Sequence, residues 1–192
     1  MIHARGLTKR YGEKRVFAGI ELDVAVGDFT LVTGANGSGK TTLLRLLAGL
    51  AAPSAGTLRV DAERERVGYV AHEPLVYREL SARENLWLYA RLYRVAEAGE
   101  RIGMLLERFG LWDVRDERVS SYSRGMLQRL ALCRALLHEP DLLLLDEPHS
   151  ALDAEGSELL DAELDGSRAT FVVATHTPER LAARATARLA LQ

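Results

Sequence analysis

The chain is poor in the features that fix a protein in a bilayer, on nucleic acid or in a disulfide framework. Its single cysteine, Cys133, can form neither an internal disulfide nor a cysteine metal cluster, and its apolar neighbours predict a buried packing role. The longest apolar runs, such as 142–145, fall far short of the ~20 residues that span a membrane. The 25 basic and 27 acidic side chains nearly cancel to a net charge of −2, so no overall field draws the chain onto nucleic acid. We therefore expect no nucleic-acid partner and no direct membrane insertion.

The composition is that of an ordinary globular domain. Hydrophobic residues make up 47% of the chain and charged residues 27%, and no repeat or low-complexity segment interrupts it. From residue 81 to about residue 138 the apolar positions recur at three and four residues, and Ser81 with Glu84 forms a capping-box pattern. These patterns predict a single domain, 1–192, with a helical subdomain at about 74–138.

Strand and helix patterns alternate on both sides of the helical stretch. Residues 1–33 are predicted to be mostly β, and within them four apolar residues alternate with polar or small ones: Ile20, Leu22, Val24 and Val26. After residue 140 the pattern predicts strands at 142–145 and 170–175, a helix between them, and a helix from Pro178. Parallel strands need such helical crossovers, so the pattern predicts a central α/β sheet.

Residues 34–41 fit the motif G-x-x-x-x-G-K-[ST] between a predicted strand and a predicted helix. Glycines let backbone amides converge on phosphate oxygens, and the helix start adds the positive end of its dipole. Lys40 would reach the β- and γ-phosphates, and Thr41 would ligate magnesium. A glycine-rich turn is the alternative, but the strand-loop-helix context favours nucleotide binding by Gly34, Ala35, Asn36, Gly37, Ser38, Gly39, Lys40, Thr41 and Thr42.

Two carboxylates follow the buried strand at 142–145. Asp146, at the end of the strand, can hold the metal ion, and Glu147 can polarise an attacking water. An apolar run that ends in Asp-Glu is by itself more often a strand cap than a catalytic pair. Its combination with the phosphate loop favours the functional interpretation.

With these motifs in this order, the sequence resembles the ATP-binding subunits of ABC transporters over essentially the whole chain. The resemblance implies an α/β P-loop NTPase fold of the ABC ATPase type, with a RecA-like parallel-sheet core, an N-terminal antiparallel β subdomain and a helical subdomain. It implies ATP and Mg²⁺ as cofactors and hydrolysis of ATP to ADP and phosphate. It also implies a homodimer of nucleotide-binding subunits, integral membrane permease subunits as partners, and a cytoplasmic location on the inner face of the membrane.

The resemblance assigns further site residues outside the two motifs. Tyr11 matches the aromatic residue that stacks on adenine, and Val16 packs beside it. Ser123 and Gly125 match the positions that face the γ-phosphate of the opposing subunit. Asp153 belongs to the loop through which the two subunits make contact.

Two histidines complete the expected site. His176 matches the histidine that touches the γ-phosphate, although a histidine after a strand is commonly an ordinary satisfied polar group. His72 stands where the family usually carries glutamine, and it can bond a phosphate or a metal-bound water. With His72, the chain looks most like the ATP-binding subunits of the heme exporters of cytochrome c maturation. The segment around Ser123 departs from the common Leu, Gly and Gln at Tyr122, Arg124 and Met126.

Other interpretations compete with this one. The chain could serve another importer or exporter, or a soluble ABC-type ATPase, which would normally show coiled-coil arms or two motor domains. A P-loop GTPase or small-molecule kinase would lack the segment around Ser123, and the sequence has no Asn-Lys-x-Asp guanine motif. An apolar and aromatic set at helical spacing is either core or a docking surface for a permease: Leu80, Trp87, Tyr89 and Tyr93.

Overall fold

The computed structural model describes all residues from Met1 to Gln192. Eight strands and five α-helices follow one another along the chain. Short 3₁₀ helices lie at Arg64–Arg66, Val119–Ser121 and Pro178–Leu181. The main elements are β1 (Ile2–Tyr11), β2 (Lys14–Val24), β3 (Phe29–Thr33), α1 (Lys40–Leu47), β4 (Ala55–Val60), β5 (Val67–Val70), α2 (Ala82–Leu92), α3 (Ala98–Arg108), α4 (Arg124–Leu136), β6 (Leu142–Asp146), α5 (Ala154–Gly166), β7 (Thr170–Ala174) and β8 (Ala187–Ala190).

The chain divides into two compact units. The sheet unit comprises Met1–Tyr69, Asp141–Glu147 and Arg168–Gln192, and the helical unit comprises Val70–Pro140 and Pro148–Ser167. The helical subdomain expected at about 74–138 lies within the first segment of the helical unit, and the second segment adds α5. The chain therefore leaves the sheet unit after β5, returns for β6, and leaves it again directly after Glu147.

Two sheets build the sheet unit. An antiparallel sheet has the order β2-β1-β4, and a second sheet has the order β5-β6-β7-β3-β8, in which β6, β7, β3 and β8 pair in parallel. The alternating pattern of β2 buries Leu22 and Val24, as the sequence predicts, while Val26 lies beyond the strand and is exposed. The predicted α/β core with an N-terminal antiparallel β subdomain is confirmed.

The core of the sheet unit lies where α1 meets both sheets. Leu43 and Leu44 of α1 are fully buried against Leu144 of β6 and Val172 of β7, in one cluster with residues of β1 and β2. Each fully buried leucine contributes roughly 1.5–3 kcal/mol of transfer free energy. Because parallel strands share one direction, β3, β6 and β7 all end at the same edge of the sheet. The phosphate-loop motif begins at this edge, and Asp146 and Glu147 lie there.

The helix predicted from Pro178 is wrong. The structure has only a 3₁₀ helix at Pro178–Leu181, and the chain then forms the strand β8. Pairing with the edge of β3 outweighs the local helix propensity of the alanines here. Thr186, directly before β8, helps to place this strand beside β3, since its hydroxyl accepts a hydrogen bond from the Phe29 amide at 3.0 Å.

The helical unit has its own buried core. Its largest fully buried side chains come from α2, α3, α4 and the turn after α3: Leu86, Leu105, Leu106, Phe109, Leu111 and Leu130. Cys133 is fully buried among them, which confirms its predicted packing role, and burial raises the pKa of its thiol. None of the helices combines the length and the apolar character that spanning a membrane requires.

Helix α2 begins with the capping box that the sequence predicts. The Ser81 hydroxyl accepts from the Glu84 amide at 3.1 Å, and the Ser81 amide donates to the Glu84 carboxylate at 2.8 Å. These two bonds satisfy donors that a helix start otherwise leaves without partners. The bond from the Ser81 amide to the carboxylate lowers the pKa of Glu84, so the contribution of the carboxylate to stability is present above its ordinary pKa and lost as the pH falls through the lowered value.

Replacing Ser81 by alanine removes the cap and leaves the Glu84 amide without its partner. We expect the Ser81→Ala change to lower the free energy of unfolding by about 1 kcal/mol, measured from the midpoint of urea denaturation. Ser120→Ala is the matched control, because Ser120 is exposed and its hydroxyl makes no hydrogen bond. Equal midpoints for the two variants would show that the capping box does not stabilise α2.

Candidate nucleotide-binding site

The loop between β3 and α1 has a conformation that requires glycine. Gly34, Gly37 and Gly39 have φ angles of 150°, 85° and 100°, a region that side chains with a Cβ rarely adopt. A Cβ on Gly39 would lie 2.7 Å from Cγ1 of Val16 and 2.8 Å from Cδ1 of Phe17. Strand β2 therefore packs directly on the loop, and only glycine fits between them.

Three kinds of hydrogen-bond donor point into this loop. Lys40 is buried, and its ammonium donates to the carbonyls of Gly34 at 2.8 Å and Ala35 at 3.3 Å. The hydroxyl of Ser38 is buried and has no hydrogen-bond partner. The third kind of donor is the backbone amides at the start of α1, because the N-cap residue Gly39 provides no side-chain cap and the first turn contains no acidic residue. Backbone amides, a cation and a hydroxyl thus form an anion-binding site.

Glu147 connects the loop to the ends of β6 and β7. Its Oε1 atom lies 3.9 Å from the Lys40 ammonium, and its Oε2 atom lies 2.8 Å from Nδ1 of His176. The His176 amide also donates to Oε2 at 3.3 Å, and the Glu147 amide donates to the Ala174 carbonyl at 2.9 Å. Lys40, Glu147 and His176, which are distant in sequence, therefore form one hydrogen-bonded and ion-paired group.

Other expected site residues of the sheet unit lie near this group or at the β hairpin. Asp146 is buried at the end of β6, directly before Glu147, and Thr41 and Thr42 lie in the first turn of α1. Val16 contacts the loop at Gly39. Tyr11 ends β1 and is 51% exposed, with the Lys9 ammonium 4.7 Å from the centre of its ring. An exposed aromatic face at this hairpin is chemically suited to stacking.

The remaining expected residues belong to the helical unit. Ser123 caps α4, since its hydroxyl accepts from the Met126 amide at 3.2 Å. Gly125 lies so close to the following loop that a Cβ would be 3.3 Å from the Ala151 carbonyl oxygen. Asp153 caps α5 by accepting from the Gly156 amide at 2.8 Å. His72 is exposed, two residues beyond the end of β5.

The aromatic set of the helical unit divides between core contacts and exposure. The Tyr89 hydroxyl donates to the Leu75 carbonyl at 3.2 Å, and the Tyr93 ring stacks on His138 with 4.1 Å between ring centres. Trp87 is 40% exposed and lies over Gly99 of α3. Tyr89 and Tyr93 therefore have structural roles, and Trp87 is the member of the set that is available at the surface.

Sequence reasoning missed Gln128, a buried polar residue of α4. Its side-chain amide donates to the carbonyl of Pro148, the residue after Glu147, at 3.2 Å. The only signal in the sequence is a polar residue shortly before an apolar stretch of the same helix. The partner of such a residue is set by the fold, so the pattern alone does not reveal it.

A glycine-rich loop between a parallel strand and a helix, with a buried lysine and a carboxylate pair on the same sheet, defines the P-loop nucleotide-binding class. The family model described as ABC transporter matches residues 17–150. The chain belongs to the ABC transporter family.

Curated relatives from bacteria with different transport roles are similar to this chain. The daunorubicin resistance ATP-binding protein DrrA3 of Streptomyces coeruleorubidus is 40% identical over 88% of this chain and 58% of its own length. The aliphatic sulfonates import ATP-binding protein SsuB 1 of Mesorhizobium japonicum is 41% identical over 90% of this chain and 68% of its own length. The cytochrome c biogenesis ATP-binding export protein CcmA of Cupriavidus necator is 39% identical over 92% of this chain and 83% of its own length. The chain spans 58–61% of the length of several relatives it matches.

Solved structures agree with the fold over the whole chain. A structure described as the ATP-binding subunit of an ABC transporter superposes with a TM-score of 0.91 at 25% identity, covering 100% of this chain and 85% of that one. A dimeric ATP-binding cassette in a post-hydrolysis state, bound to ADP and Pi, gives a TM-score of 0.87 at 26% identity, covering 100% of this chain and 94% of that one. The ABC ATPase fold is thereby established for this chain.

Replacing Gly39 by alanine tests the close contact between β2 and the loop. The added Cβ would collide with Val16 and Phe17 while the backbone holds a φ of 100°. We expect the Gly39→Ala change to lower the free energy of unfolding by about 1–3 kcal/mol and to weaken Mg-ATP binding, because the loop must move to relieve the collision. Denaturant titration measures the first effect, and calorimetry measures the second.

The control is Gly166→Ala. Gly166 ends α5, has no positive φ, and a Cβ there would meet nothing within 4 Å. We expect this variant to keep the native stability and the native ATP affinity. Native behaviour of the Gly39→Ala variant as well would contradict the strict requirement for glycine in the loop.

Proposed function

We propose that the chain binds and hydrolyses ATP as the nucleotide-binding subunit of an ABC transporter. The observation that carries the proposal is the group formed by Lys40, Glu147 and His176 beside an anion-binding loop. A structural ion pair would need neither the glycine-rich loop nor the buried Ser38 hydroxyl. The family membership of the chain supports the same reading.

The polyphosphate chain of ATP would bind at the loop. The amides of residues 34–42 would donate to phosphate oxygens, and the Lys40 ammonium would exchange its bonds to loop carbonyls for bonds to the β- and γ-phosphates. The Thr41 hydroxyl and the Asp146 carboxylate are oxygen donors of the kind that Mg²⁺ prefers. Because no group of three acidic, histidine or cysteine side chains could hold a metal alone, the phosphates would complete its ligands. Bound Mg²⁺ would neutralise phosphate charge.

Hydrolysis would depend on the carboxylate of Glu147. It would polarise the water that attacks the γ-phosphate, giving ADP and inorganic phosphate. His176 already bonds Glu147 through both its ring and its amide, so it would hold the carboxylate in place and contact the γ-phosphate. His72, at the position where the family usually has glutamine, would bond a phosphate or a metal-bound water.

A second copy of the chain would complete each site. Ser123 and Gly125 of that copy would face the γ-phosphate. The Ser123 oxygen accepts from the Met126 amide, so its hydrogen stays available to donate to a phosphate oxygen. Asp153 would lie in the loop between the two copies. The similar solved structure that is a dimer supports this arrangement. Tyr11, with Val16 beside it, would stack on the adenine ring.

Among transported substrates, we propose heme, exported for the biogenesis of c-type cytochromes. The similarity to the cytochrome c biogenesis export protein covers most of both chains, and His72 supports it. Importers and drug-resistance transporters are the second candidate, because relatives with those roles match at the same level of identity. In either case the chain would act at the inner face of the membrane with integral permease subunits, and Trp87 is an exposed aromatic anchor for such a partner.

Replacing Glu147 by glutamine keeps the size of the side chain and removes its charge. We expect the Glu147→Gln variant to bind ATP, to lose roughly 10²–10⁴-fold in turnover, and to accumulate as an ATP-bound dimer. Phosphate release measures turnover, and size-exclusion chromatography with ATP measures the dimer.

The matched control is Glu158→Gln, which removes the same charge from an exposed position of α5. It should hydrolyse ATP at the native rate. Full turnover of the Glu147→Gln variant would remove Glu147 from the mechanism.

The proposed substrate is tested in the complex with the permease. Purification of the tagged chain with its membrane partners should yield a complex whose ATPase activity rises with added hemin. An aliphatic sulfonate and daunorubicin serve as comparison substrates and should leave the activity unchanged. Stimulation by one of them, and none by hemin, would replace heme export with the corresponding transport function.

A further inference from the structure

Side chains of α4 and α5 fix the loop at 148–153, which follows Glu147 in the chain. The Gln128 amide donates to the Pro148 carbonyl at 3.2 Å, and the His149 ring lies 3.2 Å from the Asp161 carboxylate. Within the loop, the Leu152 amide donates to the His149 carbonyl at 3.2 Å. The loop therefore has a defined conformation that depends on contacts within the helical unit.

Gln128 is a costly residue for its position. Its side chain is only 2% exposed, and beyond Arg129 the helix α4 continues with buried apolar residues: Leu130, Ala131, Leu132 and Cys133. A buried amide must recover its lost hydration through a hydrogen bond, whereas methionine or leucine would fill the space without one. What the amide adds is therefore a directional bond to one particular carbonyl.

Pro148 has no backbone N–H, so its carbonyl is the only backbone group of Pro148 that can form a hydrogen bond. Glu147, directly before it, has a φ of 50°, in the left-handed region that non-glycine residues rarely adopt. A following proline also favours extended backbone rather than this conformation. Glu147 must therefore be held from both sides, by the bond from its amide to the Ala174 carbonyl and by a restraint on the peptide that follows.

We infer that Gln128 is a positioning residue for Glu147. It fixes the Pro148 carbonyl and thereby maintains the backbone conformation that directs the Glu147 carboxylate. The inference rests on the proposed role of Glu147 in ATP hydrolysis.

The position of Gln128 on α4 adds a mechanical consequence. Ser123, which caps this helix, lies five residues earlier, about 7.5 Å along the helix axis. A shift of α4 when Ser123 meets a nucleotide on a second copy would move Gln128 and act on the peptide after Glu147. Turnover would thus respond to dimer closure through a single hydrogen bond.

The test compares Gln128→Met with Arg129→Met in the full chain assembled with its permease partners. Gln128→Met keeps the volume and removes the bond to the loop. Arg129 is the matched control, since it lies on the same helix and donates to the Phe109 carbonyl at 3.4 Å, outside the loop. We expect Gln128→Met to lower kcat roughly 10- to 100-fold while the KM for ATP and the ATP affinity stay native. Arg129→Met should keep the native kcat.

A second variant covers a failure of Gln128→Met to fold. Gln128→Asn retains a buried amide but is one methylene too short for the bond, and it should show the same loss of kcat at unchanged KM. Native kcat in a folded Gln128 variant, or an equal loss of kcat in Arg129→Met, would overturn the positioning role. If the unmodified protein neither binds nor hydrolyses ATP, the proposed function itself fails, and that outcome is seen before any variant is compared.

Discussion

The shared direction of β3, β6 and β7 is the constraint on which the site depends. Because these strands are parallel and adjacent in the order β6-β7-β3, their carboxyl ends meet at one edge of the sheet. Each end delivers a different chemical group: the glycine-rich loop and Lys40 after β3, Glu147 after β6, and His176 after β7. No local feature of any one segment could bring these groups together, since the pairing register of the sheet does so.

The site also contains backbone conformations that only surrounding contacts can maintain. Gly39 has a positive φ angle where a Cβ would meet Val16, and Glu147 has a positive φ angle without the conformational freedom of glycine. Strain of this kind costs about 1–3 kcal/mol per residue and persists where neighbouring structure over-determines it. The buried core around α1 and the hydrogen bond of Glu147 to Ala174 provide that support. Stability elsewhere in the sheet unit thus maintains the geometry of the site.

Much of this arrangement could be predicted from the sequence, because it depends on local patterns. The strand at Phe29–Thr33, the capping box at Ser81 and the burial of Cys133 each follow from periodicity or residue type. The strand β8 could not be predicted, because its alanine-rich sequence favours a helix until the edge of β3 is present. The left-handed backbone of Glu147 and the bond from Gln128 to Pro148 could not be predicted either, because both depend on partners distant in sequence.

In the proposed function, the loop after β3 binds the polyphosphate of ATP through its amides and the Lys40 ammonium. Isothermal titration calorimetry of the folded chain with Mg-ATP tests it most directly, with Lys40→Ala as the comparison. We expect saturable binding to the native chain and a strong loss of affinity in the variant, because the variant lacks the buried cation. Absence of binding heat from the folded native chain at millimolar nucleotide, or equal affinity in the two proteins, would contradict it.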